Sequence, residues 1–202
     1  MTHIDLQDLT GVWQRDSLTI ENGKPFEDSN VYWLQAGDYF ADMRWPLDQA
    51  KRTESLQSAF AGRTHWSQPK IRFTHHIDLT KQHLEDEGDL MMVDEKLVER
   101  GQVTTKGKTI GYKEIWSPLH TTDQSQQTNV AVVDTDSEVG YFIQVGDFAI
   151  GMNDTQGIFS AACLRRSTPQ GKWRLLHSIG ETERLAPLIN AHLIGFTLRK
   201  NL

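Results

Sequence analysis

The sequence predicts an all-β fold, an antiparallel meander of about ten strands closed into a β-barrel, with one or two short helices. Three observations carry that expectation. Short segments of alternating apolar and polar residues recur along the chain, and hairpin-length turns rich in Gly, Asp and Asn separate them. Few windows show a helical period, and nothing has the strand–helix–strand rhythm of a parallel sheet. Closing such a meander removes the open edges that would invite aggregation. No internal repeat of propeller length stands out.

The elements follow in order. A helical turn at Ile4–Leu9 precedes GVWQRDSLTI, which the turn ENGK closes. SNVYWLQ, the turn AGD and YFADMRW come next, ended by Pro46, and LDQAKRTESLQ is polar and irregular. AFAGRTHW and KIRFTHHIDL are split by Gln68-Pro69. EDEGD reads as an acidic hairpin tip before LMMVDEKLVERG, and TTKGK turns into IGYKEIWSPL (Ile110–Leu119). After the polar loop TTDQSQQT come NVAVVDTD, GYFIQVGDFAIGM, GIFSAACLRR and KWRLLHSIG. ERLAPLINA is the best helical candidate, weakened by Pro187, and HLIGFTLRK reads as the closing strand.

At 202 residues, with 38% hydrophobic and 24% charged residues, the chain has the balance of one globular domain spanning residues 1–202. A net charge of −6, with no cluster of Lys and Arg, argues against nucleic acid as a partner. No apolar run approaches the roughly 20 residues needed to span a bilayer, so no membrane association is expected. The N-terminal MTHIDLQDLTGVW lacks a basic and then apolar leader pattern, which points to the cytoplasm. Cys163 is the single cysteine, excluding an intrachain disulfide, and in SAACLRRS it reads as a small buried hydrophobe.

Two sets of motifs carry a resemblance. Gly11-Val12-Trp13, just after the N-terminal turn, is similar to the G-x-W signature of lipocalin-like (calycin) barrels. That resemblance implies that Trp13 plugs one barrel end against an arginine from a late strand, with Arg199 or Arg174 as candidates. The order AFAG (59–62), an acidic Gly turn, YKEIW-x-P (112–118) and WRLLHSIG (173–180) resembles the fungal Hri family of lipocalin-like proteins. There the comparable positions read FAG, RELW-x-P and a late Leu-Leu-x-x-x-Gly strand. The family implies the barrel and carries over no catalytic residues.

The site residues come from polar side chains on apolar faces. Strand alternation puts Glu114 with Tyr112 and Trp116, His75 with Phe73 and Ile77, and His177 with Trp173 and Leu175. Tyr39 with Met43 and Tyr141 with Ile143 extend the same surface. A buried carboxylate needs a partner or a raised pKa, and a histidine is one candidate partner. Three readings remain open: a satisfied core network, a ligand-orienting cluster in an aromatic pocket, and a His-Glu-His metal site. No motif supports the metal, and no cofactor is expected.

Asp42 with Arg44, Arg63 with His65, and His76 with Asp78 read as exposed pairs. Arg15 and Arg44 stay as ligand candidates: a face swap at a bulge would let them bind a carboxylate at the barrel mouth. The leading function is binding of a small, partly apolar ligand. Tyr39, Tyr112, Trp116 and Tyr141 would form the walls, and Glu114, His75 and His177 the polar cluster. The alternatives are a cofactor-free acid–base enzyme (isomerase, lyase or decarboxylase) using Glu114, His75 and His177, and a protein-interaction module with a filled barrel. The ligand and the oligomeric state stay open.

Overall fold

The structure, a computed structural model, describes residues 3–48, 50, 56–81, 85–105, 107–121, 127–168 and 171–193. Eight strands close into an antiparallel barrel in sequence order: β1 (Gly11–Ile20), β2 (Ser29–Ala36), β3 (Tyr39–Pro46), β4 (Ser58–Ser67), β5 (Lys70–Asp78), β6 (Glu85–Val93), β7 (Lys96–Thr105) and β8 (Lys108–Thr121). A second, five-stranded antiparallel sheet follows: β9 (Thr128–Thr135), β10 (Glu138–Val145), β11 (Phe148–Thr155), β12 (Ile158–Arg165) and β13 (Arg174–Ile179).

The barrel therefore has eight strands rather than about ten, and the later strands form a separate sheet. β1 closes on β8, from Gly11 opposite Thr121 to Ile20 opposite Tyr112, so the C-terminal region is not the closing edge. The expected closing strand HLIGFTLRK, with Arg199, falls mostly outside the described residues. Two segments read as single strands are hairpins. Asp94 and Glu95 both take positive φ between β6 and β7, and Gly146-Asp147 turns β10 into β11. EDEGD is the start of β6, not a hairpin tip. Pro187 lies in the first turn of α1 (Ala186–His192), where its missing N–H costs no helical hydrogen bond.

Three apolar clusters follow from this topology. Inside the barrel lie Leu9, Trp13, Val31, Trp33, Phe40, Ile71, Phe73, Leu90, Leu97 and Trp116. The outer faces of β2–β5 pack against the second sheet, with Leu34, Ala41, Met43, Trp45, Ala61 and Ile77 meeting Ile143, Phe148, Ile150, Ala161 and Cys163. The sheet's far face is covered by Leu185, Leu188, Ile189 and Leu193. Strands β2 and β3 are consequently buried on both faces for most of their length, and this decides which sequence expectations fail.

One barrel end is plugged. The 3-10 turn Leu6–Leu9 folds across it, with Ile4 and Leu9 buried, and Trp66 Nε1 donates to the Ile4 carbonyl at 2.8 Å. Trp13 is 1% exposed, lies 6.1 Å from the Trp33 ring, and donates from Nε1 to the Leu9 carbonyl at 2.9 Å. Trp13 thus occupies the place that the G-x-W resemblance implies. Arg174 stands across from Arg165 in the second sheet, not against Trp13.

Candidate functional site

Toward the other end the lumen is not filled. A cavity of about 260 Å³ is walled by Trp33, Phe40, Phe60, Phe73, Tyr112 and Trp116 and reaches solvent past Val103, 48% exposed, and Asp86. Its polar lining is Arg15, Asp42, Arg44, Asp86, Glu99 and Glu114.

Two irregularities set this lining. In β1, Arg15 pairs with Trp116 and Ser17 with Ile115, so Asp16 is an extra residue against β8. This bulge lets Arg15, on the Trp13 face, share the lumen with Leu18 and Ile20. In β5, Ala61 pairs with Ile77 and Gly62 with His75, which makes His76 the extra residue. His75 and Asp78 then turn inward while Ile77 joins the outer core.

Glu114 is 5% exposed and not solvated. Its partners are arginines, not histidines. Arg15 Nη1 donates to Glu114 Oε1 at 2.5 Å, and Arg44 Nη1 stands 3.9 Å from the same oxygen. Arg15 also grips Glu27 two-handedly, Nε to Oε2 at 2.7 Å and Nη2 to Oε1 at 3.1 Å. Glu27 is fixed in turn by the backbone N–H groups of Asp28 and Ser29. Arg44 forms a fork with Asp42, Nε to Oδ1 at 2.7 Å and Nη2 to Oδ2 at 3.0 Å, and its guanidinium lies 5.2 Å from the Phe60 ring centroid. Burial opposes the charge on Arg15, but its hydrogen bond to Glu27 and the nearby Glu114 carboxylate outweigh that and raise its pKa.

Glu99 stands directly opposite Glu114 in the β7–β8 ladder. It is 5% exposed and is in no ion pair among the described residues; Tyr112 Oη donates to its Oε1 at 2.9 Å. Burial first, and then the facing Glu114 charge, push its carboxyl up to about 8, which favours the protonated form. Burial and the Glu99 carboxyl raise the Tyr112 phenol as well. Close backbone approach makes room for this pair. A Cβ on Gly101 would fall 2.3 Å from the Tyr112 hydroxyl, and one on Gly88 would fall 3.2 Å from Glu99 Oε1.

His75 is buried between the Phe60 ring, stacked at 4.2 Å, and two carboxylates, with Nδ1 3.0 Å from Asp78 Oδ2 and Nε2 3.3 Å from Asp86 Oδ2. Burial opposes its charge, yet Asp78 and Asp86 prevail and raise its pKa to about 9. Asp78 Oδ1 accepts from Thr80 N and Oγ1, both at 2.7 Å.

The structure thus brings together Glu114, Tyr112, Trp116, Arg15 and Arg44 at one cavity, with His75 behind its Phe60 wall. It separates the other three candidates. Tyr39 lies outside the barrel under the Arg63 guanidinium, 3.7 Å from its ring centroid. Tyr141 is buried between barrel and sheet, 2.5 Å from His76 Nδ1. His177 belongs to β13 in the second sheet, stacks on Trp45 at 4.8 Å and lies 2.7 Å from Gln57 Oε1. The expected exposed pairs are also redistributed. Asp42 and Arg44 face the lumen, and His76 and Asp78 point to opposite sides. Among the described residues no cluster of metal-ligating side chains occurs.

Four charged or titratable residues of the site escaped sequence reasoning, Glu99, Asp42, Asp86 and Glu27, as did the walls Trp33, Phe40, Phe60 and Phe73. Glu99 had a signal, since alternation places it with Leu97 on the face that the β7–β8 register brings to Glu114. Glu27 lies outside any strand and had none.

An eight-stranded antiparallel barrel plugged at one end, with an aromatic-walled and charge-lined cavity toward the other, defines a closed β-barrel protein with an interior site. The family comparison makes this specific: the model described as "Protein HRI1" matches residues 11–200, and the chain belongs to that family. Among solved structures, the chain is similar to an uncharacterised Saccharomyces cerevisiae protein, YLR301w. The match has a TM-score of 0.70 at 15% identity and covers 84% of this chain and 85% of that one. That likeness extends to the fold alone. No curated protein matches the chain.

Proposed function

We propose that this protein binds a small, partly apolar molecule inside its lipocalin-like barrel. The observation that carries the reading is the cavity of about 260 Å³, whose aromatic walls enclose the Arg15–Glu114 pair and the Tyr112–Glu99 pair. Ligand sites are typically concave, mostly apolar and furnished with a few convergent polar groups. Open space in the lumen favours binding over the filled-barrel interaction module. The core shared by barrel and second sheet supports treating residues 1–202 as one domain. A net charge of −6 favours no nucleic-acid partner. No helix among the described residues is long and apolar enough to cross a membrane. We place the protein in the cytoplasm, in keeping with its single, buried and unbridged cysteine, Cys163.

A cofactor-free acid–base enzyme in the same cavity is the second reading. It is favoured by the facing carboxyls, of which Glu99 is held near neutrality while Glu114 is salt-bridged.

A screen of small aromatic and alicyclic fragments by thermal shift tests the binding reading, run in parallel on Leu18→Trp, which fills the cavity. Fragments should stabilise the native protein and not the variant. The reading fails if no fragment binds the native protein, or if both proteins respond alike.

A further inference from the structure

The charges around the cavity are unequal, and the excess is acidic. Four carboxyl side chains line it, Asp42, Asp86, Glu99 and Glu114, against two guanidiniums. Both guanidiniums are already engaged, Arg15 by Glu27 and Glu114 and Arg44 by Asp42. An anionic ligand would have to compete with these buried carboxylates for the arginines. This argues against the ligand carboxylate that the sequence suggested for Arg15 and Arg44. Glu99 is the opposite case: a buried carboxyl held by one neutral hydroxyl donor, with no cation paired to it among the described residues. The walls beside it are aromatic rings, whose faces attract cations. Arg44 over the Phe60 ring shows one cation already held this way.

A second, independent feature points to a ligand. Trp116 is 1% exposed and lines the cavity, and its Nε1–H has no acceptor among the described residues. A buried donor without an acceptor costs about 1–3 kcal/mol, so it marks a place where an acceptor atom belongs.

We propose that the ligand is a small organic ammonium ion carrying a hydrogen-bond acceptor, with its nitrogen paired to Glu99 and its acceptor set at Trp116 Nε1. This rests on the binding reading above and names its ligand class. Bringing a cation to Glu99 stabilises the carboxylate, so Glu99 gives up its proton to solvent as the amine enters. The bound state then holds a neutral ion pair inside the aromatic wall. No covalent step is involved.

Three probes of one shape but different charge, each carrying a ring methoxy oxygen as the acceptor for Trp116, test this: the 4-methoxy derivatives of 2-phenylethylamine, 2-phenylethanol and phenylacetate, measured by titration calorimetry at pH 7 in two buffers of different ionisation enthalpy. The amine should bind at least about tenfold tighter than the alcohol, as charge-assisted pairing in a buried site implies, and the acetate should bind weakest. Amine binding should release close to one proton per site, and the alcohol none. In Glu99→Gln the amine should lose about tenfold or more in affinity and its proton release should vanish. If the alcohol or the acetate binds as tightly as the amine, or the amine binds without releasing a proton, the ammonium proposal is overturned while the binding reading stands. If none of the three binds, the ammonium proposal is overturned, and the fragment screen decides the binding reading.

Discussion

Arg15 is the cation on which the interior charge network closes, and replacing it by Met removes the charge while keeping most of the volume. Arg15 is 6% exposed, and its side chain bridges Glu27 and Glu114, whose side chains are 15% and 7% exposed. The variant leaves two largely buried carboxylates without their main cation. Removing one partner of a buried pair costs about 3–5 kcal/mol, because the remaining charge keeps its desolvation penalty. Arg44, 3.9 Å from Glu114, compensates only part of it. With a urea m-value of about 2–3 kcal/mol/M, the midpoint of unfolding should fall by roughly 1–2 M. The abandoned carboxylates can relieve the strain by taking up protons, so the destabilisation should shrink as the pH is lowered from 7 to 5. Urea denaturation followed by tryptophan fluorescence at both pH values reads these effects. Combining Arg15→Met with Glu114→Gln should cost less than the sum of the two single changes, a coupling expected of contacting charges. A loss below about 1 kcal/mol for Arg15→Met, or strict additivity with Glu114→Gln, would refute the closed network.

Trp13→Ala removes the barrel-end plug and should cost about 3–5 kcal/mol in chemical denaturation; a cost under about 1 kcal/mol would show that the plug bears little of the fold. Tyr112→Phe deletes the hydroxyl that donates to Glu99 Oε1, a bond that holds the Glu99 pKa down, so the carboxyl should titrate above its value of about 8 in ¹³C NMR. Stability should decline on the alkaline side. Glu99, raised to about 8, and His75, raised to about 9, each contribute stability that is full below their unfolded values and lost as pH rises through the folded ones. Asp78, whose pKa is lowered, acts oppositely and loses its contribution in acid. Denaturation midpoints should therefore be lower at pH 9.5 than at pH 6, and flattening of that slope in His75→Gln would identify the histidine's share.

The parts of the fold that were legible are those where one face of a strand differs from the other. In β8 the order Tyr112, Glu114, Trp116 sets a carboxylate among aromatics, and the structure keeps all three on the lumen side. Trp13 was legible only through the G-x-W resemblance. Strands β2 and β3 were not, because the second sheet buries their outer face as thoroughly as the barrel buries the inner one. In YFADMRW both alternating sets are buried, so periodicity detects two buried faces without saying which is the lumen. Tyr39 and Met43 were accordingly turned inward, and Asp42 and Arg44 outward. His177 fails for a different reason: β13 has an apolar pattern, but it pairs with β12 at the edge of the second sheet and never enters the barrel. The glutamate pair is a register property. Glu99 and Glu114 meet only because the β7–β8 hairpin, with Gly107 at positive φ, pairs Thr105 with Lys108 and carries that register back along the strands, and nothing in KLVERG alone reports that.

The central claim is that the working part of this barrel is its inside. Chemical-shift mapping of a bound aromatic fragment tests it most directly, reading the indole N–H signals of all six tryptophans together with the Tyr and His rings. The account predicts that the largest shifts fall on Trp116 and Trp33, with Tyr112 following, while Trp45, Tyr141 and His177 at the barrel–sheet interface stay still. Shifts concentrated on that outer group, with Trp116 unmoved, would contradict it.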